Sequence, residues 1–222
     1  MKTLVTPIIS TGVVYYKRQL WAYCLGIHNL TTGQAHMYEG MASRGPQEIG
    51  SCIMHYMRTF VKTIIFILCS DQCRDQNRNI KLTSICTYMT VPNDFTPTVI
   101  HHNFLVSGHS YFPCDRDFGT IEKQKRLYHD IFLPDDWVKV ISSAKKTNKF
   151  QIVKIKSEDF KSTTRLEALL TNMKKREQDI KVEWLKIQWL MFKAEEPFKI
   201  YFKYSNNEDV LFYSVNVSKK RA

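Results

Sequence analysis

Residues Thr63 to Cys69 read Thr-Ile-Ile-Phe-Ile-Leu-Cys, a continuous apolar run rich in β-branched and aromatic side chains. The run is far shorter than the roughly 20 apolar residues a bilayer-spanning helix takes. It lacks the alternation of a strand with one wet face. It suits a strand covered on both faces, as in the parallel part of an α/β sheet. Helices must then flank it, and the pattern supplies them. Arg44-Gly45-Pro46-Gln47-Glu48 begins a helix, with Pro in the first turn and an acid behind it. Ile49, Cys52, Ile53, Tyr56 and Phe60 continue at helical spacing. Beyond Ser70-Asp71 a second helix is predicted from about Asn77 to Met89, broken by Pro92, Asn93, Asp94 and Pro97. Val99 to Val106 then reads as another strand.

Upstream, Leu20 to Ile27 is an apolar strand, His28 to Gly33 is turn chemistry, and Gln34 to Tyr38 pairs back. After Pro113 and Asp115 a helical segment runs to about Arg126. A hairpin feeding alternating helices and strands argues for a mixed sheet flanked by helices, an α/β class. The tail differs. Pro134 to Ala144 is a short helix, Phe150 to Ile155 a strand, and Thr164 to Lys175 a charged helix. Trp184 to Phe192, Phe198 to Tyr204 and Val210 to Val217 are strands. They form either a separate β-rich module or an extension of the sheet. A boundary near Lys145 to Asn148 divides 1–145 from a C-terminal α+β extension, 146–222.

The N-terminus shows no signal peptide, no segment reads as a membrane span, and the six cysteines, scattered through apolar segments, read as buried reduced thiols. Charge is more telling. The formal net charge is +11. Between Asp71 and Asp130 acids and bases balance, whereas Ile131 to Ala222 carries 19 bases against 12 acids. A basic surface favours polyanions, nucleic acid first among them.

Acids stand where α/β sheets bind ligands, beyond the carboxyl ends of strands. Asp71 closes the first strand of the pair, and Asp115, Asp117 and Glu122 follow the second. Asp115 and Glu122, seven residues apart, share a helix face, whereas Asp117 points elsewhere. Two-metal phosphodiester chemistry needs such carboxylates, and Mg²⁺ suits their oxygens. Asp71, Asp115 and Glu122 make a partial cage. The competing reading is helix capping by Asp71 and Asp115. Around Asp71, the residues Arg74, Gln76, Asn77 and Arg78 supply donors for phosphate oxygens, or else a solvated cap. His109 is a candidate proton shuttle or ligand, set against the commoner role of satisfying a carbonyl. His101 and His102 are adjacent, so on a strand they face opposite sides.

Four strings carry a resemblance. They are YYKRQLWAYCLGIHN (15–29), ASRGPQEIGSC (42–52), SDQCRDQNRN (70–79) and GHSYFPCDRDFGTIEK (108–123). In this order they resemble a transposon-derived domain family, abundant in insect and other animal genomes, that is akin to the catalytic domains of DDE-type transposases. The resemblance implies an RNase H-like mixed sheet. It implies acids on the first strand, after the fourth strand (Asp71) and on a later helix (one or more of Asp115, Asp117 and Glu122). It implies Mg²⁺ at those acids, and nucleic acid at Arg74, Gln76, Asn77, Arg78, His109, Arg116 and Lys123. Three departures remove carboxylates. No acid precedes Pro7, the loop at Glu39-Gly40-Met41 is short, and Asn29 stands where relatives carry Asp. The first strand is therefore expected to be missing or degenerate, and the metal site incomplete.

The first function expected is nucleic-acid binding, DNA ahead of RNA, in an intracellular, nuclear protein. A second is an active Mg²⁺-dependent nuclease or strand-transfer enzyme that recruits Glu39 or pairs Asp115 with Glu122. A third is a non-enzymatic interaction domain. It would use Trp184, Trp189, Phe198, Tyr201, Phe202, Phe212 and Tyr213 as anchors, if these are not simply core.

Overall fold

A computed structural model of the protein describes residues 1–9, 20–40, 43, 45–73, 76–91, 94–105, 112–170 and 181–218. In chain order the elements are β1 (Lys2–Thr6), β2 (Leu20–His28), β3 (Ala35–Gly40), α1 (Pro46–Phe60), β4 (Ile65–Ser70), α2 (Ile80–Thr90), β5 (Val99–Phe104), α3 (Pro113–Lys125), α4 (Pro134–Ser143), β6 (Gln151–Lys154), α5 (Thr164–Leu169), β7 (Trp189–Lys193), β8 (Lys199–Lys203) and β9 (Tyr213–Asn216). The class is mixed α/β. The strands fall into two sheets, so the mixed sheet expected over 1–145 is divided, with β4 and β5 separate from β1-β2-β3.

The chain packs as two units, each assembled from two stretches of sequence. Met1–Arg44 joins Tyr111–Phe160, and Gly45–Ser110 joins Lys161–Ala222. The boundary expected at 145–148 falls inside the first unit. That unit holds the sheet β1-β2-β3-β6, antiparallel except for the parallel β3–β6 pair. The β2–β3 turn is built as its residues suggest. Asn29 Oδ1 accepts from the Thr31 and Thr32 N–H groups, and Gly33 takes φ +69°, the left-handed region that favours glycine. α3 and α4 cover the sheet. Leu4, Ala22, Cys24 and Met37 from the strands meet Phe118, Ile121, Trp137, Val140 and Ile141 from the helices. Trp137 buries its ring and donates from Nε1 to the Val5 carbonyl at 3.2 Å. β1, Lys-Thr-Leu-Val-Thr, is an edge strand among the described residues and bears no carboxylate.

The second unit holds the sheet β4-β5-β7-β8-β9, with β4 and β5 parallel and the rest antiparallel. The tail strands thus extend the sheet of β4 and β5. The strand expected at Trp184 begins only at Trp189, after a single 3₁₀ turn over Trp184–Lys186. The helix expected from Thr164 runs to Leu169, and residues 171–180 lie outside the described residues. One face of the sheet is packed. Ile100, His102, Phe104, Leu190, Phe192, Ile200, Phe202 and Val215 all lie on it and are buried. The α2 helix contacts β5 and β7, and Tyr56 of α1 sets its ring 6.5 Å from that of Phe66.

One expectation fails here. β4 is an edge strand among the described residues, and Ile65 and Ile67 are 56% and 60% exposed. Its run is apolar on both faces, yet only Phe66, Leu68 and Ser70 point toward the helices. A continuous apolar stretch reports composition on both faces and cannot say whether a neighbour covers each one.

Candidate nucleic-acid interface

The proposed carboxylates separate between the two units: Asp71 lies in the second, and Asp115, Asp117 and Glu122 lie in the first. On α3 the helical geometry read from the sequence holds. Asp115 and Glu122 are exposed, while Asp117 faces inward beside Phe118 and Ile121 and is 1% exposed. Asp117 does not stand as a metal ligand would. Its Oδ2 lies 2.7 Å from His28 Nδ1 at the end of β2, and its Oδ1 accepts from Lys145 Nζ at 2.6 Å. A cation placed there would meet the Lys145 ammonium. Glu39, on β3, is buried. Desolvation holds its carboxyl above the ordinary range, with Lys154 opposing that shift. Among the described residues no group of three or more His, Cys, Asp or Glu side chains is placed to hold a metal ion.

Asp71 is exposed, and its Oδ1 accepts from Cys73 N–H at 3.0 Å and from Asn77 Nδ2 at 2.6 Å. It folds the loop and does not cap α2. Asn79 is the cap, accepting from Leu82 N–H at 3.0 Å. The donors assigned to phosphate are partly committed as well. Asn77 serves Asp71, and Arg78 places its guanidinium 4.9 Å over the Phe104 ring and donates to the Leu185 carbonyl. Gln76 is half-buried, and Arg116 and Lys123 are exposed on α3. Arg74 and His109 lie outside the described residues. Nearby, His102 is buried and its Nε2 sits 2.7 Å from Ser70 Oγ. Burial first, then the Arg78 charge, push its pKa down to about 3. A histidine so weakly basic is no general base near neutrality, so the pair is structural.

What sequence reading missed is the other face of the five-stranded sheet. The registers align Ile65, Val99 and Lys193 in one row across β4, β5 and β7, and pair Lys199 with Asn216 across β8 and β9. Ile67, His101, Met191, Tyr201 and Ser214 form the next. Cys69, Asn103, Trp189 and Lys203 begin the third. Lys193 and Lys199 stand 4.9 and 5.2 Å from the Tyr201 ring centroid. Trp189 packs edge-on to His101 and Phe212 and donates from Nε1 to His101 Nδ1 at 2.9 Å. Burial, then Lys193 and Lys203, hold the His101 pKa below its ordinary value. Lys203 is itself buried, with its Nζ on the carbonyls of Asn207 and Glu208. The signal was available as alternation. Trp-Leu-Met-Phe-Lys and Lys-Ile-Tyr-Phe-Lys each put the polar and basic members on one side.

The seven tail aromatics divide. Phe202 is core, Phe198 and Tyr213 are 45% and 40% exposed, and the remaining four are half-buried. No helix among the described residues is long and apolar enough to cross a membrane. Comparison with protein-family models, curated proteins and solved structures gives no match to this chain.

Proposed function

We propose that this chain is a nucleic-acid-binding module of transposon-derived, RNase H-like ancestry, contacting DNA in preference to RNA through the face of its five-stranded sheet that no helix covers among the described residues. The carrying observation is that Lys193 and Lys199 both lie against the Tyr201 ring, opposite the face on which α1 and α2 pack, with Glu196 accepting from Lys199 Nζ and from the Tyr201 hydroxyl beside them. Lysines grouped with an aromatic ring supply phosphate attraction and a stacking surface together. The net charge of +11 adds long-range attraction for a polyanion.

The ancestry rests on the four sequence strings. The element order agrees with it, an antiparallel β1-β2-β3 run, then α1, β4, α2 and the parallel β5, while β4 and β5 belong to a second sheet. A nuclear location belongs to the same reading. The Mg²⁺ that such an ancestry implies takes no step in it, because the Asp117 oxygens are engaged by His28 and Lys145.

Fluorescence anisotropy with a labelled oligonucleotide across a salt series tests the proposal. Affinity should fall as salt rises, and Lys193→Gln with Lys199→Gln should flatten the slope by about 1.4 to 1.8, the loss of two phosphate contacts. Salt-independent binding, or a slope untouched by the double variant, would remove the premise.

A further inference from the structure

Resting on the nucleic-acid reading above, we infer that the ligand of this sheet face is single-stranded, bound with its bases laid against the Ile65–Ile67, His101 and Tyr201 surface and its phosphates on Lys193 and Lys199. The face is mixed in a way a duplex cannot match. Ile65 and Ile67 are 56% and 60% exposed; Ile65 shares a row with Lys193, and Ile67 shares one with Tyr201. A ligand covering these rows must offer anionic groups beside π surface at Tyr201 and bare apolar surface roughly 10–15 Å away at β4, two to three strand spacings across the sheet. A duplex shows phosphate and sugar outward and keeps its base faces stacked inside, and its major groove is entered by a helix or a two-stranded ribbon. A five-stranded sheet is too broad for that groove. Single strands splay their bases onto open sheets and aromatic rings, with cations tracking the backbone. The edge position of β4 widens the platform, since Thr63 to Ser70 carries no charge that would repel a base.

The test compares a single-stranded oligonucleotide with a hairpin duplex of the same length, using the full chain, Tyr201→Leu and Ile67→Ser. Tyr201→Leu removes the ring. Ile67→Ser changes an exposed side chain and so leaves the fold intact if the first variant does not. The single strand should bind at least tenfold tighter than the duplex. Each variant should weaken it about fivefold to tenfold, as the loss of base contact does, without changing the salt slope. Equal or tighter duplex binding overturns this inference and leaves the nucleic-acid reading standing. Binding of neither overturns both. Sedimentation velocity without nucleic acid supplies the last arm. A chain dimer dissolved by Ile67→Ser would make the face a protein interface, and the inference would fall.

Discussion

His28 Nδ1 and Asp117 Oδ2 lie 2.7 Å apart, joining the end of β2 to a carboxylate that α3 holds 1% exposed. Lys145 completes the group from beyond α4 at 2.6 Å, so three separate stretches of the first unit meet on one acid. Removing one partner from a buried ion pair is costly because the others are left without compensation. Lys145 keeps 22% of its side chain in contact with solvent and regains water, which puts the loss at the low end. Asp117→Asn should therefore destabilise the chain by about 3 kcal/mol. Glu122→Gln, on the exposed face of the same helix, should stay within about 0.5 kcal/mol. Urea denaturation of the two variants side by side decides the matter. Equal losses would mean that Asp117 is not an organising residue.

His102 sets an acid limit on the second unit. Its pKa in the folded chain is about 3, against 6.5 when unperturbed. The unfolded chain therefore takes up a proton as pH falls through 6.5, while the folded chain does not until about pH 3. Stability is complete above pH 6.5 and declines over that window by on the order of 1.4 kcal/mol per pH unit, then levels off. His36 and His101, also lowered by burial, act in the same direction. Urea midpoints at pH 7 and pH 4.5 should drop more for the parent chain than for His102→Gln. A variant that loses as much as the parent would show that this imidazole does not govern the acid side.

Helices and strands were legible because each carries its own period. The Pro46 start, the Asn29–Gly33 turn and the inward side of α3 all follow from local rules. Which strands share a sheet was not legible. β6 lies beside β3 more than a hundred residues away, and β7 beside β5, through contacts that leave no mark on either segment alone. The same limit hid the partners of Asp117. The sequence marks it as an acid in a helix, but that it faces a histidine 89 residues earlier depends on the packing of α3 against β2. Asp71 shows the converse. Its place after a strand suggested a ligand or a cap, and the loop's own Asn77 and Cys73 take its oxygen.

Gly50 fixes the approach of α1 to α2. A Cβ there would stand 2.1 Å from Ile85 Cδ1, and Ile85 is 1% exposed, with little room to turn aside. Gly50→Ala should cost about 1–3 kcal/mol, the range for an overfilled core, despite the better helix propensity of alanine. Valine lacks the clashing carbon. Ile85→Val alone costs about 0.5–1.5 kcal/mol, yet in the Gly50→Ala background it should restore stability, a non-additive pair. A double-mutant cycle by chemical denaturation measures this. Strict additivity would show that the two helices adjust elsewhere.

Lys203 is committed to the fold more fully than Lys199, whose Nζ meets Glu196 Oε1 at 3.3 Å while remaining partly exposed. Lys203 is 2% exposed, its Nζ lies 4.6 Å from the Trp189 ring centroid and 4.4 Å from that of Phe212, and the same Nζ donates to the Asn207 and Glu208 carbonyls at 3.2 and 3.0 Å. It thereby pins the loop between β8 and β9 over the sheet. Lys203→Met keeps an apolar side chain in place and removes the charge, its contacts with the two rings and both hydrogen bonds. Because that loop is exposed and its carbonyls regain water, the loss should be about 1–2 kcal/mol. The ammonium is already held by carbonyls, so it has little left for phosphate. Lys203→Met should therefore lower the denaturation midpoint and leave the salt slope of nucleic-acid binding unchanged, the reverse of Lys193→Gln with Lys199→Gln. A Lys203→Met chain of parental stability whose slope falls by one contact would exchange those roles and move the phosphate track toward Trp189.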